Sequence, residues 1–246
     1  TTILQQVIKS LSMQVFFDPD LSGQTARMNR EASHHAVRVL RLREGQHVRI
    51  TNGRGTMAES VVLDPDPEGC TIQIRTLHQN YQKRPYHLHM AMAPPKSQDR
   101  YEWFLEKATE IGVDEITPIL CDHSERKRTR QDRSERILQA AMLQAGHAFL
   151  PVVHALQPFR EFIQDRASGP LFMSHCQNGN TLPLCRSIRA GMNGIVLIGP
   201  EGDFSKDEID FARKHGAQEV RLGNARFRTE TAGLVACHTF SLVNQK

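Results

Sequence analysis

A glycine-rich turn between an apolar run and a capped helix is the first segment whose residues suggest chemistry. Residues 195–205 read IVLIGPEGDFS, so the apolar run passes directly into Gly199, Pro200, Glu201 and Gly202. In open α/β sheets, ligands bind beyond the carboxyl ends of strands, and glycines there let the backbone approach a ligand closely. The spacing matches neither Gly-x-Gly-x-x-Gly nor a phosphate loop ending in Lys-Ser/Thr. The segment indicates either another kind of ligand site or an ordinary tight turn.

A second polar segment follows about twenty residues later. Residues 222–232 read LGNARFRTETA, with Arg226, Arg228, Thr229 and Glu230 between an apolar strand and an apolar helix. Arginine donates to anions, and a carboxylate can accept a proton. Structural roles stay open as well, because Thr229 can cap the helix and Glu230 in the first turn favours the helix dipole.

The apolar spacing predicts the elements that position these two segments. From Tyr86 onward, short apolar strands alternate with amphipathic helices, including helices over 100–111 and 229–242. Ser205 and Glu208 have the spacing of a capping box, which predicts a helix start. Alternation of strands and helices predicts an α/β domain with a mostly parallel sheet.

The first third of the chain is predicted to be rich in β-strands. Short runs of β-branched residues within 47–77 are separated by Gly, Asn, Asp and Pro turns, a pattern typical of a small barrel. A helix is predicted over 30–42. We expect domains at 13–84 and 85–246, and we interpret residues 1–12 as a leader or a tag.

Composition limits the classes of protein to consider. The 246 residues carry a net charge of only +4, but seven Arg and two acidic residues lie between Gln24 and Arg54. No apolar run reaches the ~20 residues that a membrane helix needs. The five Cys are dispersed without a Cys-x-x-Cys motif, which is typical of reduced thiols in the cytoplasm.

Taken together, residues 195–205 and 222–232 resemble the carboxyl-terminal signature of the SPOUT superfamily of methyltransferases. More narrowly, they resemble the RsmE-like family, which methylates N3 of a uridine in 16S ribosomal RNA. The resemblance covers roughly residues 13–243. The chain departs from the family pattern at Asp203, which replaces a Gly, and at Ala225 and His147, which stand where the family often has Arg.

The resemblance implies a two-part fold and a cofactor. We expect an amino-terminal PUA-like β-barrel that binds RNA and a SPOUT α/β domain whose deep trefoil knot holds S-adenosylmethionine. The implied partners are 16S ribosomal RNA of the small subunit and a second copy of the chain, with no DNA or membrane, in the cytoplasm. The expected cofactor-binding residues follow three strands: Met173, Ser174, Leu197, Ile198, Gly199, Pro200, Gly202, Leu222, Gly223, Phe227 and Thr229.

Methyl transfer to uracil N3 requires that the N3 proton leave and that the resulting negative charge be stabilised. Arg228 is the expected anion stabiliser. Glu230 or Glu201 is expected to accept the proton or, alternatively, to orient Arg228. No metal is expected, because His87 and His89 share a strand face without an evident third ligand and so resemble a solvated pair.

RNA phosphates are expected to contact basic residues in both parts of the chain: Arg27, Arg30, Arg38, Arg41, Arg43, Lys96 and Arg100. The charged run over 125–136 either extends this surface or pairs with itself. Two other functions stay open: a SPOUT methyltransferase for another rRNA or tRNA base, and a non-catalytic RNA-binding ribosome-assembly factor. The intact segments 199–202 and 228–232 argue against the factor.

Overall fold

A computed structural model describes residues 14–166, 169–177 and 181–245. The leader interpretation of residues 1–12 lies outside the described residues. Within the described ranges, no helix is both long and apolar enough to cross a membrane.

The chain divides into two compact units. One comprises the residues up to Lys83 together with Met142–Leu150, and the other comprises Arg84–Ala141 and Pro151–Lys246. The expected domains were continuous, so the assignment of Met142–Leu150 to the first unit is a difference from the sequence interpretation.

Backbone hydrogen bonds explain why that segment joins the first unit. The Gly55 N–H donates to the Ala148 carbonyl at 2.8 Å, and the Leu150 N–H donates to the Gly53 carbonyl at 2.9 Å. A Cβ on Gly55 would lie 2.4 Å from the Phe149 ring, so only glycine permits this close approach. Sequence periodicity cannot reveal such a pairing between distant loops.

The first unit is built on a five-stranded sheet in the order β1-β3-β4-β5-β2. Strand β1 is parallel to β3, and the other pairs are antiparallel. The helix predicted over 30–42 is shorter, because after α1 the chain continues as a π-helical turn, His35–Val39. The elements are β1 Val15–Phe17, β2 Thr25–Arg27, α1 Arg30–His34, β3 His47–Thr51, β4 Met57–Asp64 and β5 Thr71–His78.

The second unit has the predicted α/β fold. Its sheet runs β11-β13-β10-β12-β6-β7-β8, with β9 also paired to β7, and every registered pair is parallel. The elements are β6 Leu88–Met92, α2 Gln98–Ile111, β7 Glu115–Leu120, α3 Gln131–Ala145, β8 Val152–Val153, β9 Gln157–Pro158, α4 Phe159–Asp165, β10 Leu171–Ser174, β11 Leu182–Pro183, α5 Leu184–Ser187, β12 Gly194–Ile198, α6 Lys206–Lys214, β13 Ala217–Arg221 and α7 Thr229–Val243. The last turn of α3, from Met142 onward, belongs to the first unit.

Local signals fix several of these boundaries. All five residues of β12 are buried, as expected for a central parallel strand covered on both faces. Helix α2 ends at Gly112, whose φ of +115° is a left-handed cap conformation. Helix α6 begins with the predicted capping box, in which Ser205 and Glu208 each bond the other's backbone N–H.

Candidate active site

Three adjacent strands of the second unit, β13, β10 and β12, end at one edge of the sheet. A cavity of about 620 Å³ lies beyond their carboxyl ends. This is the position at which open α/β sheets bind ligands, and the volume is within the range of small-molecule sites. The loops over 174–176, 198–203 and 221–229 line it.

Most of the residues expected at the cofactor and the reacting base do line this cavity. They are Ser174, Ile198, Gly199, Pro200, Glu201, Leu222, Gly223, Phe227, Arg228 and Thr229. Four expected residues do not line it, namely Met173, Leu197, Gly202 and Glu230.

The four exceptions have physical reasons. Met173 and Leu197 are fully buried in the apolar core, where neighbouring strands hold them in register. Gly202 faces away from the cavity, because a Cβ there would lie 3.0 Å from the Cβ of His123. The absence of a side chain at this position therefore lets the loop pack against His123. Glu230 points to Arg100 instead.

Asp203 ties two walls of the cavity together. Its φ of +66° is left-handed, which explains why glycine suits this position in similar sequences. The aspartate side chain compensates: one oxygen accepts the Cys176 N–H at 2.8 Å, and the other accepts the Phe204 N–H at 2.9 Å. The carboxylate thus joins the loop after β12 to the loop after β10.

The two candidate carboxylates differ in environment. Glu201 is exposed at the cavity, and its Oε1 accepts the Lys96 N–H at 2.9 Å. The Glu230 side chain is only 8% exposed and lies 3.7 Å from Nε of Arg100. Glu201 alone of the two faces the space that a substrate can enter.

Arg228 is held by the start of the last helix. It is the N-cap residue of α7, and its carbonyl accepts the Ala232 N–H at 2.8 Å. Its exposed side chain lines the cavity beside Arg226. The positive end of a fifteen-residue helix adds to the attraction for anions at this point.

His175 is a cavity residue that was not among the site residues expected from the sequence. His175 lines the cavity with a side chain that is 4% exposed. Its Nδ1 accepts the Gln177 N–H, so the proton sits on Nε2, which lies 2.8 Å from Glu219. Arg213 donates to the other Glu219 oxygen at 2.8 Å.

This network changes the acidity of the carboxylate. The hydrogen bond from Arg213 holds the pKa of Glu219 below its ordinary value, burial opposes the shift, and His175 adds to it. Asp203, Arg221 and Asn224 also line the cavity without having been assigned to it from the sequence. The pattern of a polar residue just after a strand is the signal that could have found them.

The basic residues expected to contact RNA in the first unit fall into two groups. Arg27 and Arg30 lie 3.9 Å and 2.8 Å from Asp66 and Glu68, which partly neutralise them. The second group, Arg38, Arg41 and Arg43, is exposed beside the exposed apolar residues Val39 and Leu40.

In the second unit, the side chain of Lys96 pairs with Glu125 at 2.7 Å, and Arg100 pairs with Glu230. Arg126 of the charged run over 125–136 donates to the backbone oxygens of Pro95 and Lys96, which lie outside the run. Within the run, Arg136 lies 3.8 Å from Asp132, four residues earlier, and the self-paired interpretation fits that pair.

Comparisons with known proteins agree with this geometry. Residues 82–241 match the model of an RNA methyltransferase domain, which includes the whole cavity. This chain belongs to the RNA methyltransferase family. Residues 29–75 match the PUA domain of RNA methyltransferases, so the first unit carries the domain type that the resemblance implied.

Relatives in the RNA methyltransferase family cover nearly the whole chain. A solved structure described as a probable rRNA-methyltransferase from Porphyromonas gingivalis is 34% identical, with a TM-score of 0.87, and the match covers 94% of this chain and 98% of that one. Ribosomal RNA small subunit methyltransferase E from Neisseria gonorrhoeae, solved with S-adenosyl methionine, is 25% identical with a TM-score of 0.84 over 94% and 98%. The enzyme of the same name from Synechocystis is 28% identical over 82% of this chain and 68% of its own length.

Proposed function

We propose that this protein transfers a methyl group from S-adenosylmethionine to N3 of a uridine in 16S ribosomal RNA of the small subunit. The observation that carries the proposal is the strand-end cavity, where Arg228 and Glu201 face one space. Relatives named ribosomal RNA small subunit methyltransferase E support the choice of RNA.

The residues of the cavity fit the cofactor. Gly199, Gly223 and neighbouring backbone offer amide donors and acceptors to an adenine edge, and Ile198, Leu222 and Phe227 offer apolar walls. When bound, S-adenosylmethionine supplies an electrophilic methyl group. Met173 and Leu197, being buried, support the walls from behind.

Arg228 and Glu201 have complementary tasks in this reaction. The uracil N3 proton passes to the Glu201 carboxylate, and the negative charge left on N3 spreads onto the uracil oxygens, where the Arg228 guanidinium donates hydrogen bonds. The N3 electron pair would then form the bond to the methyl carbon as the methyl–sulfur bond breaks, and the sulfur would keep the electrons of that bond. The backbone N–H of Lys96 holds Glu201 in place, and buried Glu230 positions Arg100 on the neighbouring helix.

Variants of these residues test the assignment. We expect Arg228→Ala to lower kcat by about 10²–10³-fold while the Kd for S-adenosylmethionine changes little. Glu201→Gln, which cannot accept the proton, should lower kcat as well. Arg226→Ala is the matched control and should have a smaller effect. If calorimetry detects no binding of S-adenosylmethionine at millimolar concentration, both the uridine-N3 methyltransferase function and the alternative of a methyltransferase for another base are overturned.

The target base needs a separate test. Mass mapping of ribosomal RNA from cells that lack the gene should show loss of one N3-methyluridine from the small subunit. If that nucleotide persists and a methyl group is lost from another base or from tRNA instead, the proposed substrate is wrong and the other base is the target. We place the reaction in the cytoplasm, where ribosomes are assembled.

We infer that the second unit contains a deep trefoil knot. Strand β13 lies beyond β10, yet helix α7, which follows β13, packs against β6, β12 and α2. The connection over 222–228 therefore returns across the strand ends, beside the loop over 199–203. A crystal structure that traces an unthreaded connection would contradict this inference. We also predict that the five-stranded sheet of the first unit closes into a PUA-like barrel.

We also infer that the protein is a homodimer. Helices α2 and α7 pack together, and each carries a large apolar residue that is unusually exposed, Trp103 at 44% and Leu242 at 55%. Exposed apolar residues on paired helices are typical of an association surface. Sedimentation at micromolar concentration should find a dimer that Trp103→Glu dissociates, and a stable wild-type monomer would contradict the inference.

A further inference from the structure

A second cavity lies at the opposite edge of the same sheet. It has a volume of about 370 Å³ and is lined by residues at the amino-terminal ends of the strands, among them His87 and His89 of the β6 region, Glu115 of β7 and His154 after β8. From the sequence alone, His87 and His89 resemble a solvated pair. The fold brings Glu115 and His154, which are distant in sequence, to the same point.

Three histidine side chains converge on the Glu115 carboxylate. Nε2 of His154 lies 2.7 Å from Oε2 of Glu115, and Nδ1 of His89 lies 3.7 Å from the same oxygen. Nε2 of His87 lies 3.1 Å from the other oxygen, Oε1. One potential ligand atom each from His89, Glu115 and His154 falls within a sphere where all separations are under 4.8 Å.

These separations match the ligand spacing around a small metal ion. A tetrahedral Zn²⁺ site has metal–ligand bonds of about 2.0–2.1 Å, which puts its ligand atoms roughly 3.3 Å apart. The observed separations of 2.7 and 3.7 Å between Oε2 of Glu115 and the nitrogens of His154 and His89 lie on either side of that value. Imidazole nitrogens with one carboxylate are the donor set that zinc accepts.

The surroundings orient His89 for such a role. Its Nε2 lies 2.7 Å from the hydroxyl of buried Thr117, so a proton on Nε2 can be donated there and Nδ1 is left free to bind a metal. The edge of the Phe162 ring packs against the imidazole, with the ring centroids 5.4 Å apart. A hydrogen-bond acceptor for the second ring nitrogen is the usual support of a histidine that binds metal, and the Thr117 hydroxyl can accept that bond.

We propose that His89, His154 and Glu115 bind one Zn²⁺ ion, with a solvent molecule at the fourth position and His87 as a partner of the second Glu115 oxygen. The ion would join the amino-terminal ends of β6 and β7 and the segment after β8, all within one unit. Because the ion would hold these three segments together, the site would stabilise the sheet. It is independent of the proposed methyl transfer, because it lies at the other edge of the parallel sheet.

Calorimetry and cobalt spectroscopy test the site on tag-free, full-length protein first treated with a chelator. ZnCl₂ should bind with one ion per chain and raise the unfolding midpoint, and EDTA should reverse the rise. CoCl₂ should give the intense visible bands of a tetrahedral ion. Two variants weaken binding to different degrees: His154→Ala by more than about 100-fold and Thr117→Val, which removes only the supporting hydroxyl, by about 10-fold.

Two controls keep the result interpretable. His47→Ala removes an exposed histidine of the first unit and should leave zinc binding unchanged. Arg228→Ala should lower the rate of methylation without changing zinc binding, which separates a failure of this site from a failure of the proposed function. The Thr117→Val variant covers the case in which His154→Ala fails to fold. Absence of stoichiometric binding at micromolar Zn²⁺, or equal binding by wild type, His154→Ala and Thr117→Val, would overturn the proposal.

Discussion

At the residue scale, Asp203 explains how a departure from the family pattern is tolerated. A residue other than glycine with φ near +66° carries backbone strain, and aspartate is among the types that bear it best. Its two oxygens accept the N–H groups of Cys176 and Phe204, which a glycine could not do. Compared with glycine, Asp203 adds backbone strain but links two walls of the cavity through its side chain.

Replacement of Asp203 separates these two contributions. Asp203→Ala keeps the strained backbone and loses both bonds, so we expect a loss of about 1–2 kcal/mol in the free energy of unfolding. Asp203→Gly loses the bonds but relieves the strain, so its loss should be smaller. Urea unfolding of the two variants measures the difference. Equal stability of both variants and the wild type would show that the bridge contributes nothing.

Glu219 makes part of the stability depend on pH. The Arg213 hydrogen bond holds the Glu219 pKa below its ordinary value of 4.5, against the opposing effect of burial. A carboxylate whose pKa is lower in the folded state stabilises the fold at pH values above its unfolded-state pKa. That stabilisation is lost as the pH falls through the folded-state pKa.

We therefore expect Glu219→Gln to be less stable than wild type at pH 7 by about 1 kcal/mol or less. The difference should shrink as the pH falls below about 4.5. Unfolding midpoints between pH 3 and pH 7 test this, with the exposed Glu44→Gln as the control. A difference that stays constant over this range would rule out linkage through Glu219.

At the scale of elements, helix α6 begins where the loop over 199–205 ends. The Ser205 hydroxyl accepts the Glu208 N–H at 3.2 Å and donates to Asp122 at 2.6 Å, while Glu208 accepts the N–H groups of Ser205 and Asp122. The cap thus joins the end of one cavity loop to the segment after β7. A helix terminus is here part of the scaffold that fixes the site.

Loss of the Ser205 cap should lower the stability of the fold more than it lowers the rate of methyl transfer. We expect Ser205→Ala to lower the free energy of unfolding by about 1 kcal/mol, whereas Ser205→Thr, which keeps a hydroxyl, should lose less. Chemical denaturation measures both variants. The kcat should fall less than in Arg228→Ala, since Ser205 does not line the cavity. A larger fall in kcat than in Arg228→Ala would contradict this ranking.

At the scale of the whole molecule, charge distribution matters more than net charge. The total is only +4, yet Arg38, Arg41 and Arg43 form an exposed group in the unit that matches a PUA domain. Phosphate contacts release counterions, so they appear in the salt dependence of RNA affinity.

Replacement of all three arginines by Ala should weaken RNA binding and reduce the slope of log K against log salt by about 2–3, roughly one for each lost phosphate contact. Arg30→Ala is the matched comparison, because Glu68 already neutralises that arginine and the slope should change less. Filter binding of small-subunit RNA across salt concentrations gives both slopes. An unchanged slope in the triple variant would move the RNA contacts elsewhere.

Local sequence determined most elements and the position of the main cavity. Apolar periodicity, the capping box at Ser205 and Gly112 as a left-handed cap depend on neighbours within a few residues, which the chain itself displays. Strand ends followed by Gly, Arg and Glu predicted the loops that line the cavity, because parallel strands must end at a common edge.

Tertiary structure decided which side chains face which space. Only the fold could assign Met173 and Leu197 to the core, turn Glu230 toward Arg100 and bring Met142–Leu150 to the first unit. The same holds for Glu115 and His154, which join His87 and His89 although at least 26 residues separate them in sequence. Side-chain direction and long-range pairing depend on packing between distant segments, and a single sequence does not display that packing.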